Sequence, residues 1–342
     1  MPHVKDFSVE YNPINKDDVF TSGDYIAGRI TFQVTKDCKI ESLWIKMKGK
    51  AKVKWTEHYG KAIVVHHDQE KYFSIKTFII QDGQGNNVVT RGRHMYPFTF
   101  QIPRQNLPSS FKGSWGKIKY TLEGTLSRSM RMDSKAKSRF TVAHKGSCDP
   151  ALMVPQRSIV DKKMHLFSSG SVSLEVTIDK SCFFPGEGIK VAAYIHNSSS
   201  GEVRPKYCLY KKCSYFAKGK RRVETKNILK EVGECIPPST GHSVVRMVTI
   251  PPTTCASILN CNVIKAEYRL KVYLDVKYAF DPEIKFPVVI LPVMQRPEEQ
   301  PFSTNSEFGA NSKTVAANFK QEPTASPPPY GLYQSMAGFN FS

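Results

Sequence analysis

The sequence predicts an all-β protein, made of two tandem immunoglobulin-like β-sandwiches and a disordered C-terminal tail. Three observations predict it: apolar residues recur with a period of two, a set of short segments occurs twice in the same order, and the composition changes after residue 293. We expect a first sandwich over 5–145, a linker over 146–169, a second sandwich over 170–293 and a flexible tail over 294–342.

The period of two is clearest between Ile45 and Trp55, where five lysines alternate with apolar or small residues. Such alternation is typical of an antiparallel strand with one buried face. The face that stays in solvent would carry Lys46, Lys48, Lys50, Lys52 and Lys54. The same pattern predicts strands over Ile26–Val34, Tyr72–Ile80, Tyr96–Ile102, Ile118–Leu126, Val172–Ile178, Ile189–Ile195, Val244–Ile250, Ala266–Val276 and Ile284–Leu291.

An internal repeat indicates that the sandwich occurs twice. The segment Phe20–Gly28 has its counterpart 163 positions later at Phe183–Val191. Two further pairs follow in the same order: Phe98–Pro103 with Val245–Pro251, and Ile118–Tyr120 with Ile264–Tyr268. In each copy a glycine before an acidic residue, Gly23 or Gly186, makes the turn into a strand, and such a turn favours a positive φ.

The linker is predicted where alternation fades, between about residues 141 and 170, and the tail where proline, serine, asparagine and glutamine replace β-branched residues. The tail contains Pro327-Pro328-Pro329-Tyr330, a Pro-Pro-x-Tyr sequence. Proline favours polyproline II, so little entropy is lost when the rings stack in an aromatic groove and Tyr330 enters a neighbouring pocket. This pattern predicts WW-domain binding by Pro327, Pro328 and Tyr330.

Composition and charge exclude several classes of protein. The chain has 342 residues, 49 basic against 30 acidic side chains, and a net charge of +19. No apolar run is long enough for a membrane span and no leader is apparent, so we expect a soluble, intracellular protein whose eight cysteines are reduced thiols.

Catalytic and metal-binding patterns are weak. No nucleophile elbow or phosphate-binding loop occurs, so we expect no enzyme, no catalytic residues and no cofactor. The spacings within Cys208/Cys213 and Cys255/Cys261 exceed the short spacing of most zinc sites, and no metal is expected. A variable loop is predicted at His58, His66 and His67.

A second basic segment spans Lys206 to Lys230, with nine basic residues and one glutamate. The residues assigned to contact with acidic cargo or anionic lipid are Lys211, Lys212, Lys218, Lys220, Arg221 and Arg222. Solvated strand faces with a basic loop are an equal alternative, since charge runs usually are no more than that. Nucleic acid is an improbable third partner.

Several segments resemble the arrestin domain-containing proteins, the α-arrestins. They are Leu107–Tyr120, Phe184–Glu187, Tyr215–Lys220 and Ser257–Cys261 before the Tyr268 strand. The resemblance covers about residues 5 to 293, and the tail motif also fits, in one copy where the family usually carries two. It implies a cytoplasmic adaptor, peripheral at the plasma membrane and endosomes. Such an adaptor recruits HECT-type ubiquitin ligases through their WW domains to the cytoplasmic regions of transmembrane receptors or transporters, for ubiquitination and endocytic sorting.

Two other functions remain open on the residues alone. One is a subunit of a sorting coat with a similar double sandwich and no ligase recruitment. The other is a basic β-sandwich that binds nucleic acid, whose affinity would fall steeply with salt. Neither needs the Pro-Pro-x-Tyr sequence, so the tail discriminates both from the adaptor.

Overall fold

The computed structural model describes residues 4–81, 87–163, 170–276 and 281–292. Within these ranges the chain forms twenty strands and a short 3-10 helix at Pro150–Leu152. The strands are β1 (Val4–Tyr11), β2 (Val19–Phe20), β3 (Tyr25–Val34), β4 (Cys38–Lys39), β5 (Ser42–Tyr59), β6 (Ala62–Gln81), β7 (Val88–Val89), β8 (Gly92–Gln101), β9 (Phe111–Lys112), β10 (Gly116–Ser127), β11 (Ser134–Val142), β12 (Gln156–Lys163), β13 (Ser171–Ile178), β14 (Cys182–Phe183), β15 (Gly188–Asn197), β16 (Val203–Ala217), β17 (Lys220–Val232), β18 (Thr240–Thr249), β19 (Ile264–Val276) and β20 (Glu283–Ile290).

Each half of the chain pairs two sheets, which confirms the predicted all-β double sandwich. In the first half the sheets have the strand orders β1-β3-β8 and β2-β11-β10-β5-β6, with β9 paired to β10 and a small β4-β7 pair beside them. In the second half the orders are β12-β13-β15-β18 and β14-β20-β19-β16-β17. Every second side chain of these strands lies on the inward face of its sheet, and these buried side chains form the hydrophobic cores.

The two halves repeat the same turn chemistry at the positions that the sequence repeat predicts. Gly23 has φ +93° and Gly186 has φ +87°. Their amides donate to equivalent carbonyls, Gly23 to Ile102 at 3.0 Å and Gly186 to Ile250 at 2.9 Å. The short strands before them also match, because β2 and β14 both pair in parallel with the last long strand of their sandwich.

A buried tyrosine closes a corner in each sandwich. The hydroxyl of Tyr120 donates to the carbonyl of Pro108, and that of Tyr268 to the carbonyl of Cys255, each at 2.7 Å. Both tyrosines are at most 2% exposed. Since a buried hydroxyl without a partner is costly, these bonds fix the loops that precede β10 and β19.

Three expectations from the sequence need correction. Part of the predicted linker is strand β12, which pairs with β13 along its whole length and so belongs to the second sandwich. His58, His66 and His67 lie in the paired strands β5 and β6, not in a loop, because both strands run on past the partner strand β10.

The third correction concerns the cysteines. Cys148 and Cys182 form a disulfide, with Cα atoms 6.0 Å apart. The chain folds back after the first sandwich and brings the two thiols together, which their separation of 34 residues does not reveal. The six other cysteines are free.

No helix in the described ranges is long and apolar enough to cross a bilayer.

Candidate functional site

The lysine ladder of β5 lies on the outer face of the first sandwich, as the alternation predicts. The intervening residues Ile45, Met47, Ala51 and Val53 are fully buried. Lys52 and Lys54 are exposed, whereas the lysines nearer the start of β5 are half-buried. The period of two therefore separates a dry core from a basic outer face along one strand.

The neighbouring strands enlarge this basic surface. Residues directly opposite one another in an antiparallel pair share a face, so the register places side chains of β6, β9, β10 and β11 beside the β5 lysines. We call the result the cationic face. It carries Lys46, Lys48, Lys50, Lys52, Lys54, Lys71, Lys76, Lys112, Lys117, Lys119, Lys135, Lys137 and Arg139.

Like charges stand directly opposite one another on the cationic face. Lys50 pairs with Lys119 on one side and with Lys71 on the other, and Lys52 pairs with Lys117. Burial and the charges of Lys48 and Lys52 lower the pKa of Lys50. Burial and the charges of Lys117 and Arg139 lower the pKa of Lys119. The opposed basic side chains therefore repel one another, and an anionic ligand bound to the face would reduce this repulsion.

Glu123 is the one carboxylate among the described strand residues that share this face. It forms ion pairs with Lys48 and, at 2.8 Å, with Lys137. Burial opposes its ionisation, but the hydrogen bonds from Lys137 and Lys48 outweigh that effect and lower the pKa of the carboxyl. Glu123 therefore holds part of the lysine array together.

We expect Glu123→Gln to lower the free energy of unfolding by about 1–2 kcal/mol at neutral pH, because the lysines lose their counter-charge. A carboxyl with a lowered pKa stabilises the fold at higher pH, and this contribution disappears as the pH falls through the folded-state pKa. Urea unfolding at neutral and acidic pH measures the difference. Glu10→Gln, which removes an exposed ion pair with Arg29, is the control and should cost less than about 0.5 kcal/mol. Equal losses for both variants at neutral pH would contradict the prediction.

The second basic segment forms the hairpin of β16 and β17, and the structure divides its six assigned residues. Lys218 and Lys220 lie at the turn, where Lys218 and Gly219 both have positive φ. Lys212 and Arg221 lie on one face of the hairpin, and Arg221 donates to the Ser214 hydroxyl at 2.8 Å.

Lys211 and Arg222 lie on the opposite face and contact the first sandwich. The Arg222 guanidinium stacks over Trp115 at 4.1 Å and donates to the Thr56 carbonyl at 3.4 Å. The Lys211 ammonium lies 5.9 Å from the centre of the Phe111 ring. These two side chains therefore serve the contact between the sandwiches, whereas Lys212 and Arg221 lie on the other face of the hairpin.

That contact, here called the seam, continues the core of the first sandwich into the second. Tyr215 is fully buried and packs edge-on against Trp115, with ring centres 5.6 Å apart. Across the seam, Glu70 accepts hydrogen bonds from the backbone and side-chain nitrogens of Asn262 at 2.8 and 2.7 Å. The hydroxyl of Tyr72 donates to Cys261 Sγ at 3.2 Å. Both sandwiches belong to one compact unit.

A cavity of about 350 Å³ opens beside Tyr215 at the seam. It is lined by Phe111, Lys112, Gly113, Ser114, Lys211, Cys213, Tyr215, Glu224 and Lys226. The Ser114 hydroxyl donates to Glu224 at 3.0 Å across it. The segment 107–120, one of the four that carry the family resemblance, thus supplies one wall of the seam.

The cysteine and histidine residues considered for metal binding have separate surroundings. Cys208 donates to Asn227 at 3.3 Å, Cys261 accepts from Tyr72, and His66 contacts Glu57 at 3.1 Å. Over the described ranges, no three histidine, cysteine or acidic side chains come together in a way that could hold a metal ion. The tail motif Pro327, Pro328 and Tyr330 lies outside the described residues.

Comparisons with known proteins match both sandwiches. Residues 7–148 match the family described as "Arrestin (or S-antigen), N-terminal domain", and residues 168–295 match "Arrestin (or S-antigen), C-terminal domain". Arrestin domain-containing protein 4 of Mus musculus is 28% identical over 315 residues, which cover 89% of this chain and 73% of that protein. The chain belongs to the α-arrestin family.

Other relatives match over a similar share of the chain. The human arrestin domain-containing protein 4 is 27% identical over the same coverage. Thioredoxin-interacting protein of Rattus norvegicus is 29% identical over 299 residues, covering 84% of this chain and 74% of that protein. The relatives support an arrestin-type adaptor role for this α-arrestin, in a family of scaffolds rather than enzymes.

Sequence reasoning missed most of the cationic face of this α-arrestin and the whole of the seam. The alternation Lys135, Lys137 and Arg139 in β11 has the same period as the β5 ladder and was a usable signal. By contrast, Glu70 and Asn262 are 192 positions apart and no local pattern relates them.

Proposed function

We propose that this α-arrestin is a trafficking adaptor that recruits WW-domain HECT-type ubiquitin ligases to membrane cargo, favouring its ubiquitination and endocytic sorting. The observation that carries the proposal is the combination, in one chain, of two arrestin sandwiches with a Pro-Pro-x-Tyr sequence after the second. The setting proposed is the cytoplasm, with peripheral association at the plasma membrane and endosomes.

Ligase recruitment is assigned to Pro327, Pro328 and Tyr330. Prolines restrict the unbound chain to conformations near polyproline II, which lowers the entropy lost on binding. Tyr330 adds a large rigid ring with a hydroxyl that needs a partner. A tail segment that binds a ligase leaves both sandwiches free to contact the cargo.

Cargo contact is assigned to the accessible part of the β16–β17 hairpin. Lys212 and Arg221 lie on the face of the hairpin opposite to Lys211 and Arg222, and Lys218 and Lys220 lie at its turn, where the Lys218 amide donates to Asp68 of the first sandwich at 3.4 Å. Lysine and arginine side chains bind carboxylate and phosphate groups through charge-assisted hydrogen bonds. The partner proposed is an acidic or phosphorylated segment in the cytoplasmic region of a transmembrane receptor or transporter.

The proposal is tested by isolating ligases and membrane proteins together with the full chain from cells. Tyr330→Ala should lose the ligases and reduce ubiquitination of the co-isolated membrane proteins, while the membrane proteins themselves remain bound. Tyr333→Ala, a nearby tail tyrosine outside the motif, is the matched control and should behave as wild type. Ligases that stay bound to the Tyr330→Ala variant would refute recruitment through the motif.

The same experiment tests the cargo surface with the opposite outcome. Changing Lys212, Lys218, Lys220 and Arg221 to glutamate should release membrane proteins, because the reversed charges repel acidic segments, while the ligases remain. Membrane proteins that stay bound to this variant would show that these four residues are only a solvated surface and do not bind cargo. Membrane proteins that are isolated with the wild-type chain in the absence of any ligase would favour a coat subunit instead.

A further inference from the structure

The cationic face is larger and more uniform in charge than any single peptide needs. Its basic side chains come from β5, β6, β9, β10 and β11, and Glu123 is the carboxylate they share. Strands lie about 4.8 Å apart and residues on one face about 7 Å apart, so the array covers about 14 Å across and 27 Å along the strands. An extended peptide would meet one row of this grid at a time.

The kind of basic residue also bears on the ligand. Twelve of the thirteen cations are lysines and only Arg139 is an arginine. Arginine is preferred where a phosphate or carboxylate is held in a fixed bidentate geometry, whereas lysine acts as a point charge on a flexible stem. A lysine grid therefore suits many mobile anions that have no fixed arrangement.

Exposed apolar side chains continue the cationic face at its far end. The β5–β6 hairpin extends past β10, and opposite Thr56 and His58 the register places Val65 and Ile63 on this same face. Val65 is 46% exposed and Ile63 is 64% exposed. Basic side chains beside protruding aliphatic ones are the combination that binds headgroups and inserts shallowly at a membrane interface.

We infer that the cationic face is a docking surface for an anionic lipid leaflet, with the lysines over the headgroups and Ile63 and Val65 at the interface. The charge of such a leaflet complements the whole grid at once, and it would relieve the repulsion between directly opposed pairs such as Lys52 and Lys117. The inference takes only its membrane setting from the proposed adaptor function. The surface is distinct from the tail motif, and it adjoins the β16–β17 hairpin at the seam, where Lys112 and Lys211 line the same cavity.

The test is sedimentation of the full chain with phosphatidylcholine vesicles, with and without phosphatidylserine. The variant changes Lys52, Lys54, Lys71 and Lys117 to glutamine, four exposed lysines of the face. It should bind the phosphatidylserine vesicles about 1000-fold more weakly than wild type, since each lysine near a charged surface contributes about 1 kcal/mol. Its unfolding temperature should be unchanged or higher, because like charges are removed from opposite positions.

The matched control removes the same net charge from other surfaces. Lys36, Lys145, Lys163 and Lys190 are exposed and lie outside the cationic face, so changing them to glutamine should leave vesicle binding within about twofold of wild type. Equal weakening by both variants would show that net charge alone drives adsorption and would overturn the inference.

Two further measurements complete the test. Ile63→Ser with Val65→Ser should weaken binding to phosphatidylserine vesicles even at high salt, where the lysine contribution is screened. If the lysine variant keeps vesicle binding and loses binding to a phosphorylated acidic peptide, the face belongs to a peptide and the inference is wrong. Neither measurement involves a ligase or cargo, so failure here leaves the proposed recruitment function standing.

Discussion

Tyr330→Ala is expected to abolish binding of a peptide of residues 322–335 to isolated WW domains. One short motif buries little area, so the wild-type peptide should bind with micromolar affinity at best, about −8 kcal/mol. Tyr330 supplies the largest rigid aromatic surface in the motif and a hydroxyl to be satisfied in the partner pocket. Its removal should therefore take the affinity below about millimolar, a loss of about 1000-fold. Calorimetric or fluorescence titration measures it.

The motif also predicts a graded response within the same peptide. Pro328→Ala should abolish binding, because its ring stacks in the aromatic groove, whereas Pro329 occupies the variable position and Pro329→Ala should keep most of the affinity. Pro329→Ala is thus a matched control, since it removes the same number of ring atoms from a neighbouring position. Equal loss from all three substitutions, or no loss from any, would contradict the assignment.

Tyr215→Ala is expected to lower the free energy of unfolding of the full chain by about 3–5 kcal/mol. The ring is fully buried, packs edge-on against Trp115 and lies in the hydrophobic cluster shared by both sandwiches. Removing it leaves a cavity next to the one already present at the seam, and the surrounding strands relax only in part. Because the seam joins the sandwiches, urea unfolding should also separate into two transitions.

Two variants make this prediction specific. Tyr215→Phe retains the ring and should keep most of the stability. Tyr194→Ala removes the same side chain from a position that is 49% exposed on β15 of the second sandwich, and should cost less than about 1 kcal/mol. A single cooperative transition with an unchanged midpoint for Tyr215→Ala would contradict the prediction, because the two sandwiches would then unfold together without the ring.

The fold of this α-arrestin could be predicted in most of its elements because each strand carries its own signal. A buried face recurs every second residue in β5, β10 and β13, and nothing beyond the local chain is needed to see it. The internal repeat could be recognised for the same reason, because Gly23 and Gly186 each occupy a turn that needs a positive φ. Strand β12 was missed because its side chains alternate between half-buried and exposed and none is fully buried, as expected of an edge strand.

The same distinction between local features and contacts of distant segments applies to the candidate sites. The basic side chains and the Pro-Pro-x-Tyr sequence are local features, so the sequence alone determined that the chain carries them. Which lysines lie together depends on the register between strands that are far apart in the chain. For example, this register places Lys117 of β10 beside Lys52 of β5. Register likewise put Lys211 and Arg222 against the first sandwich and left Lys212 and Arg221 on the other face of the hairpin.

By itself, then, the sequence determined the all-β class, the duplication and the chemistry of the tail, because period, turn residues and proline content act over a few residues. Only the tertiary structure decided the seam around Tyr215, the disulfide between Cys148 and Cys182, and the gathering of the lysines into one face. Each of these depends on contacts between segments distant in the chain. Such contacts are set by the packing of whole sheets, which no short stretch of residues specifies.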